Sequence, residues 1–460
     1  MRQSNSDKAM IGIIWALAWP TMLEQLMQTA VQYVDTAMVG VLGTHATAAV
    51  GATTTGNWLI NSSIAALSVG FLAFIAKAFG ENDAEKAKRA VTQAILTVLV
   101  VGTFFTTVTL LLHRQVPVWM QVDESIQKMA SKYFFILYLP MLPRTASIIL
   151  GTVLRAAGDT KTPMKVGILM NLINIVLNFF LIYEAREVAF LGLRFIIPGM
   201  GLGVVGAAVA SAIAITVGGM ILIIVVWRHP MISPKGRKIT PDLAILKPCM
   251  QVALPNMLQR FGTSLGYVAF ASMINSLGEV STAAHTIANT VESAFYIPGY
   301  GMQTAAATLA GNAYGAGDSA YMKRLRRMFV PLEIILMMVS GFLLFLLAPS
   351  LMGLFSKSSE VIALGTTVLR MVAVSEPFYG YSIIIEGFMM GVGKTKMPFI
   401  FNIVGMWGIR IIGTFICIQF FAMGLISAWA CMIAHNLLLF VMFLVVDVRE
   451  SWNPLRERGR

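Results

Sequence analysis

The chain has 460 residues, of which 57% are hydrophobic and 12% charged, with a formal net charge of +12. A soluble globular protein carries about 25% charged residues. So little charge cannot cover a water-facing surface of this size, so the composition excludes a soluble protein and indicates a chain embedded mostly in a lipid bilayer. The basic residues lie in short loops between apolar runs, a pattern typical of membrane topology rather than of nucleic-acid binding.

Twelve apolar stretches follow one another along the chain, each long enough for the ~20 residues that cross a bilayer. Backbone polar groups cannot stay unpaired in hydrocarbon, so we expect these stretches to be helices. The first run is too long for the apolar core of a secretory signal, and we expect no cleaved signal peptide. The predicted spans centre on 10–36, 46–77, 90–112, 128–153, 164–183, 202–227, 247–275, 282–311, 328–350, 360–389, 398–421 and 424–446.

The loops between these spans differ sharply in charge. One alternating set holds 24 of the 34 Lys and Arg residues, and the opposite set holds 6. Basic loops stay in the cytoplasm. We therefore predict a multi-pass protein of the inner (plasma) membrane with both termini in the cytoplasm.

The two halves of the chain repeat each other at a constant offset, the one that aligns Pro20 with Pro255. PTMLEQ from Pro20 matches PNMLQR from Pro255, and GDTKTP from Gly158 matches GKTKMP from Gly393. The match needs no gap as far as Pro163, and beyond span 5 the first half carries an insertion near 184–198. Each repeat holds six spans, and an even number gives both halves the same topology.

These patterns predict an all-α integral membrane protein with twelve transmembrane helices in two six-helix bundles, related by a pseudo-two-fold axis along the membrane normal. The expected parts are an N-terminal bundle (1–227), a cytoplasmic linker loop (228–246) and a C-terminal bundle (247–460). This architecture favours a secondary transporter, although channels and lipid flippases are also built by duplication. The sequence has no metal-ligand or nucleophile spacing, so we expect no enzyme, no bound metal and no cofactor.

Span 1 carries a stripe of polar residues, formed by Glu24, Gln28, Gln32 and Asp35. At 100° per residue all four fall within about a quarter of the helix circumference. A charge at the bilayer centre costs about 2.5–3.5 kcal/mol on insertion scales, so such residues face protein or water. The stripe is either part of an ion or substrate site or a structural hydrogen-bond network.

Span 5 carries Asn171, Asn174 and Asn178 within about 60° of arc. Their carboxamide oxygens, with the Asp35 carboxylate opposite, would suit a hard monovalent cation such as a transiently bound Na+. The alternative is that these asparagines only join helices by hydrogen bonds.

The second half has a different set of polar residues within its spans. Arg260, Glu292 and Glu386 are candidates for lining a substrate cleft, and we expect Arg260 to pair with Glu292 or Glu386. Glu333 and Arg410 are interpreted as buried partners or as groups that reach towards the membrane surface.

Four segments together resemble the MATE (multidrug and toxic compound extrusion) transporters. They are VDTAMVGVLGTHATAAVG from Val34, LRAAGDTKTP from Leu154, NLINIVLNFFLI from Asn171 and GLGVVGAAVAS from Gly201. The resemblance extends over about 10–447 and includes the twelve-span count and the internal repeat.

The resemblance implies a V-shaped pair of bundles that exports organic, often cationic, compounds in exchange for Na+ or H+. It assigns the cation site of the first bundle to Asp35, Gln28, Asn174 and Asn178, and bending of span 1 to Pro20. Many members of the family have Asp at the position of Asn178.

Three other family positions are not matched. The asparagine of span 4 falls on Gly151, the glutamate of span 7 on Thr263, and the aspartate of span 10 near Tyr379. We therefore expect the ion site in the first bundle. The predicted function is a monomeric secondary active multidrug efflux antiporter for small organic substrates with Na+ or H+ as coupling ion; the alternative is a flippase for lipid-linked substrates.

Overall fold

The computed structural model describes residues 7–119, 124–190 and 193–456. The outermost residues of the two predicted bundles, 1–6 and 457–460, therefore lie outside the described part. The helices of the first half are α1 (Asp7–Gly40), α2 (Thr44–Gly80), α3 (Ala84–Leu112), α4 (Gln115–Trp119), α5 (Glu124–Tyr138), α6 (Met141–Ala156), α7 (Lys161–Leu181) and α8 (Gly203–Arg228).

The second half is built from equally long helices. They are α9 (Leu243–Asn275), α10 (Glu279–Ala316), α11 (Ser319–Phe355), α12 (Ser359–Gly391), α13 (Lys396–Ile403), a π-helical stretch (Val404–Ile411), α14 (Ile412–Gln419) and α15 (Leu425–Val448).

Many of these helices are long and apolar enough to cross a membrane. Within the described residues nine pass on length and hydropathy, and α5 with α6 would make a tenth span bent by 51°. The helices α9 and α10 have 33 and 38 residues, ample for a bilayer, but they are more polar and contain internal prolines. The chain is therefore an integral membrane protein.

A β-hairpin interrupts the helical array after α7. Its strands β1 (Glu184–Phe190) and β2 (Leu193–Met200) pair antiparallel. It occupies the segment that the repeat analysis marked as an insertion. The prediction of an all-α chain was wrong here, because a short connection outside the spans can pair its own backbone as a hairpin.

The internal repeat is visible in where helices begin. The starts of α2, α3 and α7 recur at the repeat offset as the starts of α10, α11 and α13. Asp83 caps α3 by accepting from the Lys86 amide at 2.8 Å, and Asp318 caps α11 in the same way at 2.8 Å from the Tyr321 amide. Equivalent capping residues therefore start equivalent helices.

The first helix of each half begins inside the apolar core of the other half. Met10 and Ile14 of α1 pack in a cluster with residues of α10, α12 and α15. Their counterparts in the second repeat, Ile245 and Cys249 of α9, pack in the cluster built mainly from α2, α3 and α6. The two halves are thus joined by exchanged helix ends.

The two halves also meet through glycines at one end of the array, which we call the basic end. It is the end that carries loops 81–83, 157–160, 229–242, 317–318 and 392–395. A Cβ atom added to Gly80 of α2 would overlap the carbonyl oxygen of Asn312, and one added to Gly315 of α10 would overlap that of Lys77. The two contacts are equivalent under the repeat offset, so α2 and α10 cross with their backbones in direct contact.

Candidate functional site

The centre of the candidate site is Asp35, in the second half of α1. Its Oδ1 accepts a hydrogen bond of 2.6 Å from Asn178 Nδ2 of α7. Asn174, one turn earlier on α7, lies against the same carboxylate and reaches Ser211 Oγ of α8 at 2.9 Å. Asn174 and Asn178 are buried, whereas Asp35 is partly exposed. Residues of three helices therefore form one hydrogen-bonded cluster that includes Asp35.

The Asn174 carboxamide is satisfied with its nitrogen towards Asp35. The nitrogen then donates to Asp35 Oδ1 at 2.7 Å, and the oxygen accepts from Ser211 Oγ at 2.9 Å. Amide donors from both Asn174 and Asn178 beside the carboxylate match an ionised Asp35.

One further oxygen at this cluster lacks a partner. Within the described residues, Asn178 Oδ1 is buried and makes no hydrogen bond. Asp35, Asn174, Asn178 and Ser211 supply the oxygen atoms of this cluster, and oxygen is the ligand that hard cations prefer. Three of the four residues that the sequence analysis assigned to the cation site, Asp35, Asn174 and Asn178, therefore lie together.

Pro20 and the other predicted site residues on α1 and α7 lie outside this cluster. Pro20 is buried in the helix interior, where it removes a backbone hydrogen bond. Gln28 and Gln32 are exposed. Asn171 is partly buried, and its Nδ2 has no partner among the described residues. The residues of the predicted polar stripe on α1 therefore have different surroundings from one another.

Glu24 belongs to a separate ion pair. Both of its carboxylate oxygens accept from Arg155 Nη2 of α6, at 2.7 and 2.6 Å. The Glu24 side chain is 9% exposed and that of Arg155 17%. Arg155 was missed as a partner of Glu24, because the two residues are 131 positions apart and no local spacing connects them.

The polar residues of the second half are organised differently from expectation. Glu386 accepts from Gln259 Nε2 at 2.7 Å, and Arg260 donates through Nε to Asn256 Oδ1 at 3.1 Å. The expected ion pair of Arg260 with Glu292 or Glu386 is not formed in the described part of the chain. Gln259, one residue before Arg260 on α9, makes the contact with Glu386 instead.

Glu292, Arg410 and Glu333 lie inside the second half. All three are buried, so Arg410 and Glu333 do not reach towards the membrane surface. The Arg410 guanidinium lies over the rings of Tyr267 and Phe270, at 4.8 and 4.1 Å from their centroids. Arg410 lies in the π-helical stretch, and this departure from α-helix geometry could not be predicted from the hydropathy of the sequence.

A helical membrane array with an internal duplication and a carboxylate–carboxamide cluster within its helices is typical of transporters. The MatE family model matches residues 20–180 and 255–416, two segments that begin at the equivalent prolines of the repeat. The chain belongs to the MatE family, and the resemblance found in the sequence is confirmed.

Curated relatives and solved structures agree with this assignment. The chain is 26% identical over 436 residues to the probable multidrug resistance protein NorM of Thermotoga maritima, covering 95% of this chain and 92% of that protein. It is 24% identical to multidrug and toxin extrusion protein 1 of Xenopus tropicalis, covering 96% and 76%. A crystal structure of MATE in complex with MaL6 has the same fold, with a TM-score of 0.88 at 22% identity and 97% coverage of both chains.

Proposed function

We propose that this chain is a secondary active multidrug efflux antiporter that exports organic, often cationic, compounds in exchange for Na+ or H+. Its family membership and the names of its relatives support efflux of drugs. The observation that carries the exchange step is the Asp35 carboxylate, held within a membrane helix by the amides of Asn178 and Asn174.

The proposed architecture has twelve spans in two six-helix bundles, residues 1–227 and 247–460, joined by the linker 228–246. The nine apolar helices, the bent pair α5 and α6, and the long helices α9 and α10 account for that number. The basic end faces the cytoplasm of the cell membrane, because Lys and Arg loops are retained there. Both termini then lie in the cytoplasm, and one chain contains the whole site, which favours a monomer.

Exchange follows if drug and coupling ion favour opposite states of α1. With Asp35 ionised, Asn178 and the Asn174 nitrogen hold the carboxylate, and a cationic substrate is attracted into the cleft beside it. Na+ or H+ neutralises Asp35, and the attraction is lost. A ligand shifts a conformational equilibrium only by its differential affinity for the two states, and here that difference is the charge of one side chain.

The movement would be transmitted along α1, since this helix packs in both halves. Its first turns lie in the core of the second half, whereas Asp35 is held by α7 of the first. Pro20 lies between these regions and weakens the helix there, so it is the proposed hinge. Gln32, which is exposed, is proposed to contact substrate, with Asn171, Arg260, Glu292 and Glu386 as further candidates. Glu24 is set apart by its ion pair with Arg155, and Gln28 is kept as a candidate of the cation site.

The test is dye efflux from proteoliposomes under Na+ and H+ gradients imposed separately. One of the gradients should drive efflux, and Asp35→Asn should abolish it while leaving the folded yield unchanged. Glu279→Gln, which removes an exposed carboxylate at the start of α10, is the matched control and should transport normally. Normal gradient-driven efflux by Asp35→Asn would contradict the proposed role of Asp35 in coupling. Movement of lipid reporters instead of dyes would show that the protein is a flippase and not a drug antiporter.

A further inference from the structure

A cavity of about 1040 Å³ opens at the basic end, away from the Asp35 cluster. It lies between the start of α3, the end of α8 and the loop that follows α8. Its lining residues are Glu85, Lys88, Trp227, Arg228, His229, Pro230, Ser233, Lys235, Gly236 and Arg237. This volume accommodates a glycerophosphate head group with its first carbons.

The cavity is strongly cationic. Lys88, Arg228, Lys235 and Arg237 line it, and Glu85 is the one acidic residue of its lining. The Glu85 carboxylate already pairs with Arg237 and lies 3.6 Å from Lys88 Nζ. In the part of the chain that the structure describes, no carboxylate pairs with Arg228 or Lys235. Two exposed cations are therefore left for an anion.

His229 adds hydrogen bonding rather than charge. Burial lowers the pKa of His229, against the opposing effect of Asp159, so the imidazole is neutral at neutral pH. Its Nδ1 accepts from the Met231 amide at 3.3 Å, which leaves Nε2–H as a donor. An anion in this cavity would meet two cations and a neutral donor.

The cavity lies at the ends of two candidate membrane spans, where lipid head groups are expected. Both α3 and α8 are candidate membrane spans, and the cavity is formed where α3 begins and α8 ends. Trp227 is 42% exposed and Met231 of the following loop 50% exposed, whereas Ile232 is fully buried and anchors the loop. An exposed tryptophan at a span end is typical of the membrane interface. An apolar rim beside a cationic cavity suits a ligand with a charged head and apolar chains.

We propose that this cavity binds the phosphate group of an anionic phospholipid of the adjacent leaflet, with Arg228 and Lys235 as its principal ligands. A soluble phosphate compound would satisfy the same cations but would leave Trp227 and Met231 without apolar partners. Basic pockets at the ends of membrane helices recognise anionic head groups through this chemistry.

The test uses the purified full-length protein and native mass spectrometry of bound ligand. The probes are short-chain phosphatidylglycerol, short-chain phosphatidylcholine, and glycerol phosphate without acyl chains. We expect phosphatidylglycerol to bind at least about tenfold more tightly than phosphatidylcholine. Arg228→Gln with Lys235→Gln should remove that preference, because each of the two charges contributes about fivefold.

The matched control is Lys323→Gln with Arg327→Gln, two exposed cations of α11 near the same end. This control removes the same charge and should keep the preference. Equal binding of glycerol phosphate and phosphatidylglycerol would show that the cavity binds a soluble phosphate compound, and it would contradict the proposal that the ligand is a lipid. Equal binding of both lipids, or an unchanged preference in the Arg228 and Lys235 variant, would overturn the site itself.

Discussion

Arg89 of α3 and Asp242 at the start of α9 form an ion pair between the two halves, with 2.5 Å between Arg89 Nη2 and Asp242 Oδ2. The equivalent residues of the other repeat form the same contact with the halves exchanged, since Arg324 of α11 pairs with Asp7 of α1 at 2.8 Å. We call these two pairs the clasp. It joins the third helix of each half to the first helix of the other, at the basic end where α2 and α10 cross.

The clasp should stabilise the contact between the two halves at the basic end. Both pairs are exposed, so their coupling energies should be small; that of Arg324 with Asp7 should be about 0.2–1 kcal/mol. Double-mutant cycles of Arg89→Gln with Asp242→Asn and of Arg324→Gln with Asp7→Asn, followed by unfolding in detergent, measure these energies. Lys323 and Glu450, 3.8 Å apart within the second half, are the control pair. Coupling energies of zero in both cycles would contradict the clasp.

The clasp should not respond to pH in the neutral range. The hydrogen bond from Arg89 holds the pKa of Asp242 below its usual value. A lowered folded-state pKa gives stabilisation that is present above the ordinary value and is lost as pH falls through the lowered one. Thiol labelling of Ala76→Cys, buried at the crossing, should therefore be constant between about pH 6 and pH 8 after correction for thiolate formation in a denatured standard. A labelling midpoint near neutrality, absent in Asp242→Asn, would contradict this.

Gly80 and Gly315, where α2 and α10 cross, should tolerate substitution far less than glycines that face open space. A methyl group at Gly80 or Gly315 would overlap the opposite backbone, which cannot move without separating α2 from α10. Gly80→Ala and Gly315→Ala should each destabilise by about 1–3 kcal/mol or more and slow transport. Gly353→Ala in α11 meets open space and should be neutral or slightly stabilising. Thermal unfolding of the three variants provides the comparison, and equal stability of all three would show that the crossing is not tight.

The Glu24–Arg155 pair should be structural rather than a substrate contact. Glu24→Gln leaves the Arg155 charge without its carboxylate and should destabilise by about 3 kcal/mol, whereas Glu24→Gln with Arg155→Met should recover most of that loss. Denaturant unfolding measures stability, and dye efflux of the double variant measures function. A stable double variant that has lost efflux would instead assign Glu24 to substrate binding.

Asn178→Asp should strengthen cation binding at Asp35. The substitution places a carboxylate oxygen where a donor now lies 2.6 Å from Asp35 Oδ1, and two carboxylates at that distance cannot both stay ionised without a counter-ion. The unfolding temperature should therefore rise with Na+ at constant ionic strength more steeply than in the unmodified protein. Asn171→Asp, on the same helix without a contact to Asp35, is the control. An equal Na+ response in all three proteins would contradict the site.

The repeat, the insertion and the positions of the spans could be predicted because the hydropathy of a span is a property of its own residues. The helix starts set by caps were predicted less well, since Asp83 and Asp318 start α3 and α11 several residues before the predicted spans 90–112 and 328–350 begin. The content of the insertion could not be predicted, since a short segment of mixed polarity has no periodicity that excludes a hairpin.

The contacts of the polar residues depend on how helices cross, which spacing along one helix does not show. Glu24 and Asp35 share a face of α1, but three turns of helix separate them by about 16 Å. They therefore meet different neighbours, Arg155 in one case and Asn178 in the other. Ser211 was overlooked for the same reason, because a lone serine in an alanine-rich span carries no signal without its partner.

The exchanged ends of α1 and α9 constrain how the protein is made. The apolar faces of Met10 and Ile14 find their partners only after α10, α12 and α15 have been synthesised, so the earliest helix to leave the ribosome is among the last to be fully packed. The first half expressed alone would also lack Ile245 and Cys249 and expose the surface that they cover. Separately produced halves should therefore be short-lived in the membrane and should be rescued by co-expression, so that the ancestral duplication now behaves as one obligate unit of biogenesis.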